Sequence, residues 1–322
     1  MNSINWGIIG CGDVTEVKSG PAFQKVNNSN LIAVMRRNGT KAKDFAERHK
    51  VPFWYDSVED ILNHPEINAI YIATPPSTHL EIAKQCLAAN KFVYLEKPIT
   101  INVNEAEQLQ QIVTENNKLV VAHYRRNLPA FQKVKELLDT NKIGKILLVD
   151  IQILQSKFNN IITKTEDHWR IKPEISGGGY FHDIGPHQID LMYHYFGEIK
   201  NAQGFSTSTQ NTKVADIVNG IIEFENGVQF RGIWNFIASE KDVKDECKIY
   251  GDKGTITFSF YGEKVFLDID NTTEVFQFEN PKHIQQPLIE QTVNYFLDKA
   301  ENPCSLENGV LVMKIIDAFT KP

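Results

Sequence analysis

Cysteine is scarce in this chain: Cys11, Cys86, Cys247 and Cys304 are the only four. They lie far apart and form no Cys-x-x-Cys pair, which speaks against a zinc site and a disulfide framework and suits a reducing cytoplasm. A basic excess is lacking too. Thirty-four Lys and Arg stand against 40 Asp and Glu, a formal net charge of −6. That argues against nucleic acid as a partner and gives no membrane-surface signature. No apolar run approaches the ~20 residues of a membrane span. The first residues carry neither the basic segment nor the long apolar stretch of a secretion signal. There are no repeats and no low-complexity linkers. What is present, 42% hydrophobic and 23% charged residues, is ordinary for a globular protein that buries a real core. A length of 322 residues suggests about two domains.

The most informative stretch is Ile4-Asn5-Trp6-Gly7-Ile8-Ile9-Gly10-Cys11-Gly12-Asp13-Val14-Thr15. An apolar strand runs into a Gly-x-Gly turn and then a helix start, which is what a dinucleotide pyrophosphate needs. Gly10 allows the tight turn, Gly12 lets the backbone approach the phosphates, and the helix beginning at Asp13 and Val14 offers unpaired N–H groups. The third fingerprint glycine would fall where Thr15 stands, and this departure is expected to loosen helix–strand packing there. Cys11 is read as a small residue that fits the turn.

Up to residue 123 short apolar runs (Ile4–Ile9, Leu31–Met35, Ala69–Ala73, Phe92–Leu95, Leu119–Ala122) alternate with amphipathic stretches. This is the pattern of βαβ units around a parallel sheet covered on both faces. Ser77 is placed to cap one helix, Ser57-Val58-Glu59-Asp60 resembles a capping box, and Gly20-Pro21 should end or kink the first helix early. Residues 1–123 are therefore read as an α/β, doubly wound Rossmann domain. Residues 124–322 read as a second, α+β domain. It opens with a helix (Ala130–Leu138) and a long strand (Lys145–Leu154). A large, mostly antiparallel sheet follows (Val218–Phe224, Val228–Trp234, Cys247–Tyr250, Thr255–Phe260, Val265–Ile269), joined by turns such as Glu225-Asn226-Gly227 and Asp252-Lys253-Gly254. Helices at Ile284–Lys299 and Leu306–Phe319 close the chain and are free to pack back on the first domain. Ser156–Ser176 lacks periodicity and reads as a long loop, a feature that is often functional.

Candidate functional residues sit at strand ends. Arg36 and Arg37 follow the second apolar run, where an NAD enzyme usually places an acid for the ribose hydroxyls. Guanidinium forks there suit a 2′-phosphate, so NADP(H) is preferred and NAD(H) remains possible. Read blandly, they are exposed charges after a strand. Thr74-Pro75-Pro76-Ser77-Thr78-His79 and Glu96-Lys97-Pro98 also follow strands, at the edge that lines the crevice of a doubly wound sheet. Further on, Gly177-Gly178-Gly179 leads into a helix. Pro186 is acceptable only in a first turn, which places the helix start near Asp183. Asp183 and His187 then share a face, and a carboxylate can hold His in one tautomer as a proton acceptor. An N-cap Asp183, with His187 paired to Asp190, explains the spacing slightly better when spacing alone is weighed.

Taken together, Gly10/Gly12, Glu96-Lys97-Pro98 and Asp183-x-x-x-His187 resemble the glucose–fructose oxidoreductase/inositol dehydrogenase (Gfo/Idh/MocA) family over essentially the whole chain. Trp169-Arg170 and the paired arginines look most like its 1,5-anhydrofructose reductase branch. The resemblance implies a nicotinamide-dependent enzyme acting on a sugar, cyclic polyol or related small molecule. It implies that Lys97 hydrogen-bonds the reacting oxygen and that His187, with Asp183, moves the proton. It makes Thr74, Pro75, His79, Glu96, Lys97 and Pro98 part of the cofactor pocket, often with a cis bond before that proline, and Tyr124, Arg125, Trp169 and Arg170 part of the substrate site. Homodimers or homotetramers through the C-terminal sheet are expected, in the cytoplasm. Two rivals stand: a non-catalytic NADP-binding sensor on the same fold, and a metal enzyme using His182, Asp183, His187 and His194. No standard zinc spacing supports the second.

Overall fold

The computed structural model describes residues 2–156, 169–209 and 213–321. The chain divides into two compact units, Met1–Tyr124 with Pro281–Leu311 and Arg125–Asn280 with Val312–Pro322. Among the described residues, no helix is long and apolar enough to cross a membrane.

In unit 1, β1 (Ile4–Ile9) leads into α1 (Asp13–Val17). There follow β2 (Ser29–Met35), α2 (Gly39–His49), β3 (Phe53–Tyr55), α3 (Val58–Leu62), β4 (Ala69–Ile72), α4 (His79–Ala88), β5 (Phe92–Leu95), α5 (Val103–Ile112) and β6 (Leu119–Val121). The six strands pair in parallel, in the order β3-β2-β1-β4-β5-β6. The direction of winding reverses between β1 and β4, so the loops leaving their carboxyl ends diverge and open a crevice for a ligand. Packing of Trp6 on Phe23 (centroids 4.8 Å apart) and of Tyr71 on Tyr94 (5.1 Å) fills one side of the sheet. The Trp6 indole N–H donates to Ser29 Oγ at 3.0 Å, so the buried ring leaves no orphan donor.

Five of the strands lie where the apolar runs placed them. β3 is short, with Phe53 and Trp54 exposed, and carries too little burial pattern to be expected. Ser57 caps α3, accepting the Asp60 N–H at 3.4 Å. Ser77 does not cap α4: it lies within a 3-10 turn, Pro76–Thr78, that runs straight into the helix. The Thr78 hydroxyl bonds Thr74 Oγ1 and the Pro75 carbonyl instead. α1 stops at Val17, ahead of the 3-10 turn that holds Gly20-Pro21.

Unit 2 opens with α6 (Pro129–Asp139) and β7 (Ile146–Leu154). Of the stretch expected to be a loop, residues 157–168 lie outside the described residues. The remainder forms a 3-10 turn, Trp169–Ile171, and α7 (Pro173–Ser176). Then come α8 (Tyr180–Phe196), β8 (Ile199–Thr207), β9 (Ile217–Phe224), β10 (Gln229–Asn235), β11 (Lys244–Gly251), β12 (Gly254–Phe258), β13 (Lys264–Ile269) and β14 (Thr272–Gln277). They form one eight-stranded sheet, β14-β13-β12-β11-β7-β10-β9-β8. It is antiparallel except where β7 meets β10 in parallel. Gly204, Gly220 and Gly232 fall opposite one another across β8, β9 and β10. A Cβ at Gly220 would enter the Phe319 ring, so the glycine row lets Phe319 lie on the sheet beside Trp234 (6.0 Å). The chain ends with α9 (Gln286–Phe296) and α10 (Leu306–Thr320).

α8 corrects one expectation. It begins at Tyr180, and Pro186 sits inside it. Residue 185 is glycine, so the clash that a proline ring imposes on the preceding Cβ is absent. The start comes early because Gly179, at φ 85°, turns the chain into the helix. Ser176 Oγ accepts the Gly178 and Gly179 N–H groups at 3.4 and 3.1 Å.

Candidate active site

The turn after β1 is pinned to the end of β2, because the Met35 carbonyl accepts the N–H of both Gly10 (2.9 Å) and Cys11 (3.2 Å). Gly10 has φ 99°, and a Cβ there would stand 2.7 Å from the Thr74 nitrogen. Only glycine fits, and the β1 and β4 loops touch at that point. At Gly12 the nearest atom to such a Cβ would be the Gly10 carbonyl, 3.9 Å away. Bare backbone facing open space, with Asp13 and Val14 beginning α1, fits a dinucleotide pyrophosphate. Thr15 stands where the third fingerprint glycine would fall. It is fully buried and its hydroxyl donates to the Gly12 carbonyl at 2.6 Å. Burial pushes the Cys11 thiol up to about 11, so it stays protonated and inert. Arg36 is half-buried and reaches the Cys11 carbonyl at 3.4 Å, while Arg37 is exposed.

Thr74 and Pro75 leave β4, and Glu96, Lys97 and Pro98 leave β5. His79 joins the two loops: Nε2 lies 2.7 Å from the Thr74 carbonyl and Nδ1 3.0 Å from that of Pro98. Burial pulls its pKa down to about 4, so the ring is neutral and donates to one of the two at a time. The Lys97–Pro98 peptide is cis. Glu96 is buried with three donors on its carboxylate. Tyr71 Oη (2.5 Å) and Gln285 Nε2 (2.6 Å) meet Oε1, and the Lys97 N–H (3.2 Å) meets Oε2. Tyr124, also buried, closes unit 1.

In unit 2, Asp183 Oδ2 accepts from Arg170 Nε at 2.8 Å, and the Arg170 guanidinium stacks 4.4 Å over Trp169. His187 follows one turn later on α8 and is buried. The Asp190 carboxylate, three residues further on, takes a buried, bidentate hydrogen bond from Arg126 (2.6 and 2.9 Å). Arg125 donates to the Phe260 carbonyl and lies 4.4 Å over the Tyr261 ring. Burial pulls His182 and His194 down to about 4. Among the described residues no group of three or more His, Cys, Asp or Glu is arranged to hold a metal ion.

Two partners of Glu96 escaped the sequence reading. Tyr71 left one weak signal, a hydroxyl inside an otherwise apolar strand. Gln285, 189 residues from Glu96, left none.

A six-stranded parallel sheet of this order with a bare glycine turn at its switch point defines a Rossmann dinucleotide-binding domain. Residues 4–124 match the oxidoreductase family with an NAD-binding Rossmann fold, and residues 131–257 the GFO/IDH/MocA C-terminal domain. An oxidoreductase of Formosa agariphila is 53% identical over 317 residues, covering 98% of either chain. The NADP(+)-linked scyllo-inositol 2-dehydrogenase of Bacillus subtilis is 26% identical across 99% of this chain and 93% of its own. In fold, the chain is similar to a levoglucosan dehydrogenase solved with NADH and levoglucosan, with a TM-score of 0.87 at 20% identity over 98% of this chain and 96% of that one. The chain belongs to the Gfo/Idh/MocA family of oxidoreductases.

Proposed function

We propose that this oxidoreductase prefers NADP(H) and interconverts a carbonyl and a hydroxyl carbon of a sugar, cyclic polyol or related small molecule. The observation that carries the reading is the Glu96-Lys97-Pro98 turn. It stands at the same sheet edge as the bare glycine turn, and its backbone is held by Glu96 and His79. Trp169-Arg170 and the paired arginines support a place beside 1,5-anhydrofructose reductase. The bound nicotinamide supplies or accepts the hydride. Gly10, Gly12, Asp13 and Val14 hold the pyrophosphate, Arg36 and Arg37 the 2′-phosphate, and Thr74, Pro75, His79, Glu96 and Pro98 shape the nicotinamide end. The Lys97 ammonium donates a hydrogen bond to the reacting oxygen and stabilises negative charge that builds there during reduction. His187 gives that oxygen its proton, or takes it in oxidation, with Asp183 steadied by Arg170 one turn away. Tyr124, Arg125, Trp169 and Arg170 contact the substrate.

The open face of the unit 2 sheet supports a homodimer or homotetramer. Phe205 is 80% exposed there and Ile221 51%, apolar side chains that a second copy of the chain would cover. The four buried cysteines, which form no disulfide, suit a cytoplasmic location.

The relatives' names pair with different cofactors, NADP(+) in one and NADH in the other, so cofactor choice is the first experiment. Titration with NADPH and NADH, followed by nicotinamide fluorescence, is expected to show NADPH binding at least tenfold tighter, with the gap closing in an Arg36→Ala/Arg37→Ala variant. Equal binding of both would remove the arginine reading. Tight binding without turnover of any ketose or polyol would favour the sensor.

A further inference from the structure

We infer that Gln285 is a positioning residue for the Lys97 turn, and that the segment His283–Gln285 couples this turn to the glycine-loop helix. The inference rests on the role proposed for Lys97. All the groups involved belong to unit 1.

α1 has five residues, too few to hold itself in water. Its last carbonyls need partners from elsewhere. His283 Nδ1 meets the Val17 carbonyl at 2.6 Å, and the Gln285 N–H meets that of Lys18 at 3.2 Å. Lys25 Nζ lies 2.8 Å from His283 Nε2. An ammonium only donates, so Nε2 accepts and the proton of a neutral ring is on Nδ1, aimed at Val17. The same segment turns the Gln285 side chain the other way. It is 1% exposed, accepts from Tyr94 Oη at 2.9 Å, and donates to Glu96 Oε1 at 2.6 Å.

Glu96 is a buried carboxylate whose named partners are neutral: Tyr71, Gln285 and the Lys97 amide. A buried charge held this way depends on every donor. Burial and the nearby Glu96 charge push the Tyr71 and Tyr94 phenols well up, so both remain donors at working pH. Removing the Gln285 amide leaves Oε1 with Tyr71 alone. The carboxylate then reorients, and the Lys97 amide it fixes moves with it.

The test uses the full chain with Gln285→Leu, Gln285→Glu and the exchange Glu96→Gln/Gln285→Glu. Gln285→Leu should cost roughly 10- to 100-fold in kcat, the weight of one hydrogen bond to a charged group. Without cofactor, it should speed amide exchange at residues 13–18 and at Lys97. Gln285→Glu sets a second carboxyl against Glu96. The pair shares one proton at low pH and repels when both ionise. Its kcat and NADPH affinity should therefore approach the parent's near pH 5.5 and fall away progressively toward pH 8.5, while the exchange variant, with one amide and one carboxylate restored, should flatten that dependence. Melting curves of each variant separate this from loss of fold.

A Gln285→Glu pH profile parallel to the parent's, or Gln285→Leu with parental exchange at Lys97, overturns the inference. If instead Lys97→Ala keeps full turnover, the Lys97 role fails, while the exchange and NADPH readouts of the Gln285 variants still report the coupling itself.

Discussion

β4 in unit 1 reads Ala69-Ile70-Tyr71-Ile72, and all four residues are buried. β9 in unit 2 runs Ile217–Phe224 and exposes Asn219 and Ile221 between buried neighbours. The first strand is covered on both faces and the second on one, which is the difference between parallel and antiparallel sheets in general. It sorts the chemistry as well. The parallel sheet of unit 1 gathers loops at the carboxyl edge of β1, β4 and β5, where backbone atoms do much of the holding. In unit 2 the proposed groups, Arg170, Asp183 and His187, hang from helices and turns rather than from strand ends. Unit 1 thus relies on bare backbone at Gly10, where an added Cβ would strike the Thr74 backbone, whereas the groups proposed in unit 2 are side chains, sensitive to charge and volume.

The sharpest way to break this contrast is Lys97→Ala. Turnover should fall about 10²- to 10³-fold with NADPH affinity changed less than about threefold, because the lost interaction is one made to the reacting oxygen. Steady-state kinetics beside a fluorescence titration read both, and parental turnover would remove Lys97 from the mechanism. His187→Asn in unit 2 should cost about 10²-fold and leave nucleotide binding untouched. A parallel loss of NADPH affinity would erase the division of labour between the units.

Acid should act on both units. In the fold His79 titrates at about 4 instead of its usual 6.5. The unfolded chain therefore binds the extra proton first, and stability that is whole above pH 6.5 is lost as pH falls toward 4. For His79 the loss is up to roughly 3 kcal/mol. Denaturation at stepped pH on His79→Gln should show a shallower acid slope in unit 1, with unit 2, where His182 and His194 are depressed alike, unchanged. An unaltered slope would mean that His79 is not neutral in the fold.

The backbone contrast gives two smaller effects. Gly10→Ala forces a side chain into φ 99° and against Thr74; it should destabilise unit 1 by about 2 kcal/mol and weaken NADPH binding. Gly220→Ala presses on Phe319 and should cost unit 2 about 1–2 kcal/mol with binding intact. Matched melting and titration data on the pair test whether the two glycines serve different ends.

Local pattern and tertiary context contributed different parts of this protein. The βαβ order, the Gly10-x-Gly12 turn, the Glu96-Lys97-Pro98 strand end and the alternation in β9 and β10 were legible, because each is set by residues within a few positions of one another. The start of α8 was misread because the rule that confines proline to a first turn did not take account of Gly185 before it. Thr15 reads as a departure from the glycine fingerprint, and only the structure puts its hydroxyl on the Gly12 carbonyl. The rest lies between residues far apart in sequence. β7 beside β10, the glycine row beneath Phe319, Arg126 on Asp190 and Gln285 on Glu96 join positions 64 to 189 apart where hydrogen bonds make the link. Period and spacing describe only what a residue does on its own helix or strand. Which buried carboxylate meets which donor is decided when the strands pair and an unsatisfied polar group would otherwise be left in the core.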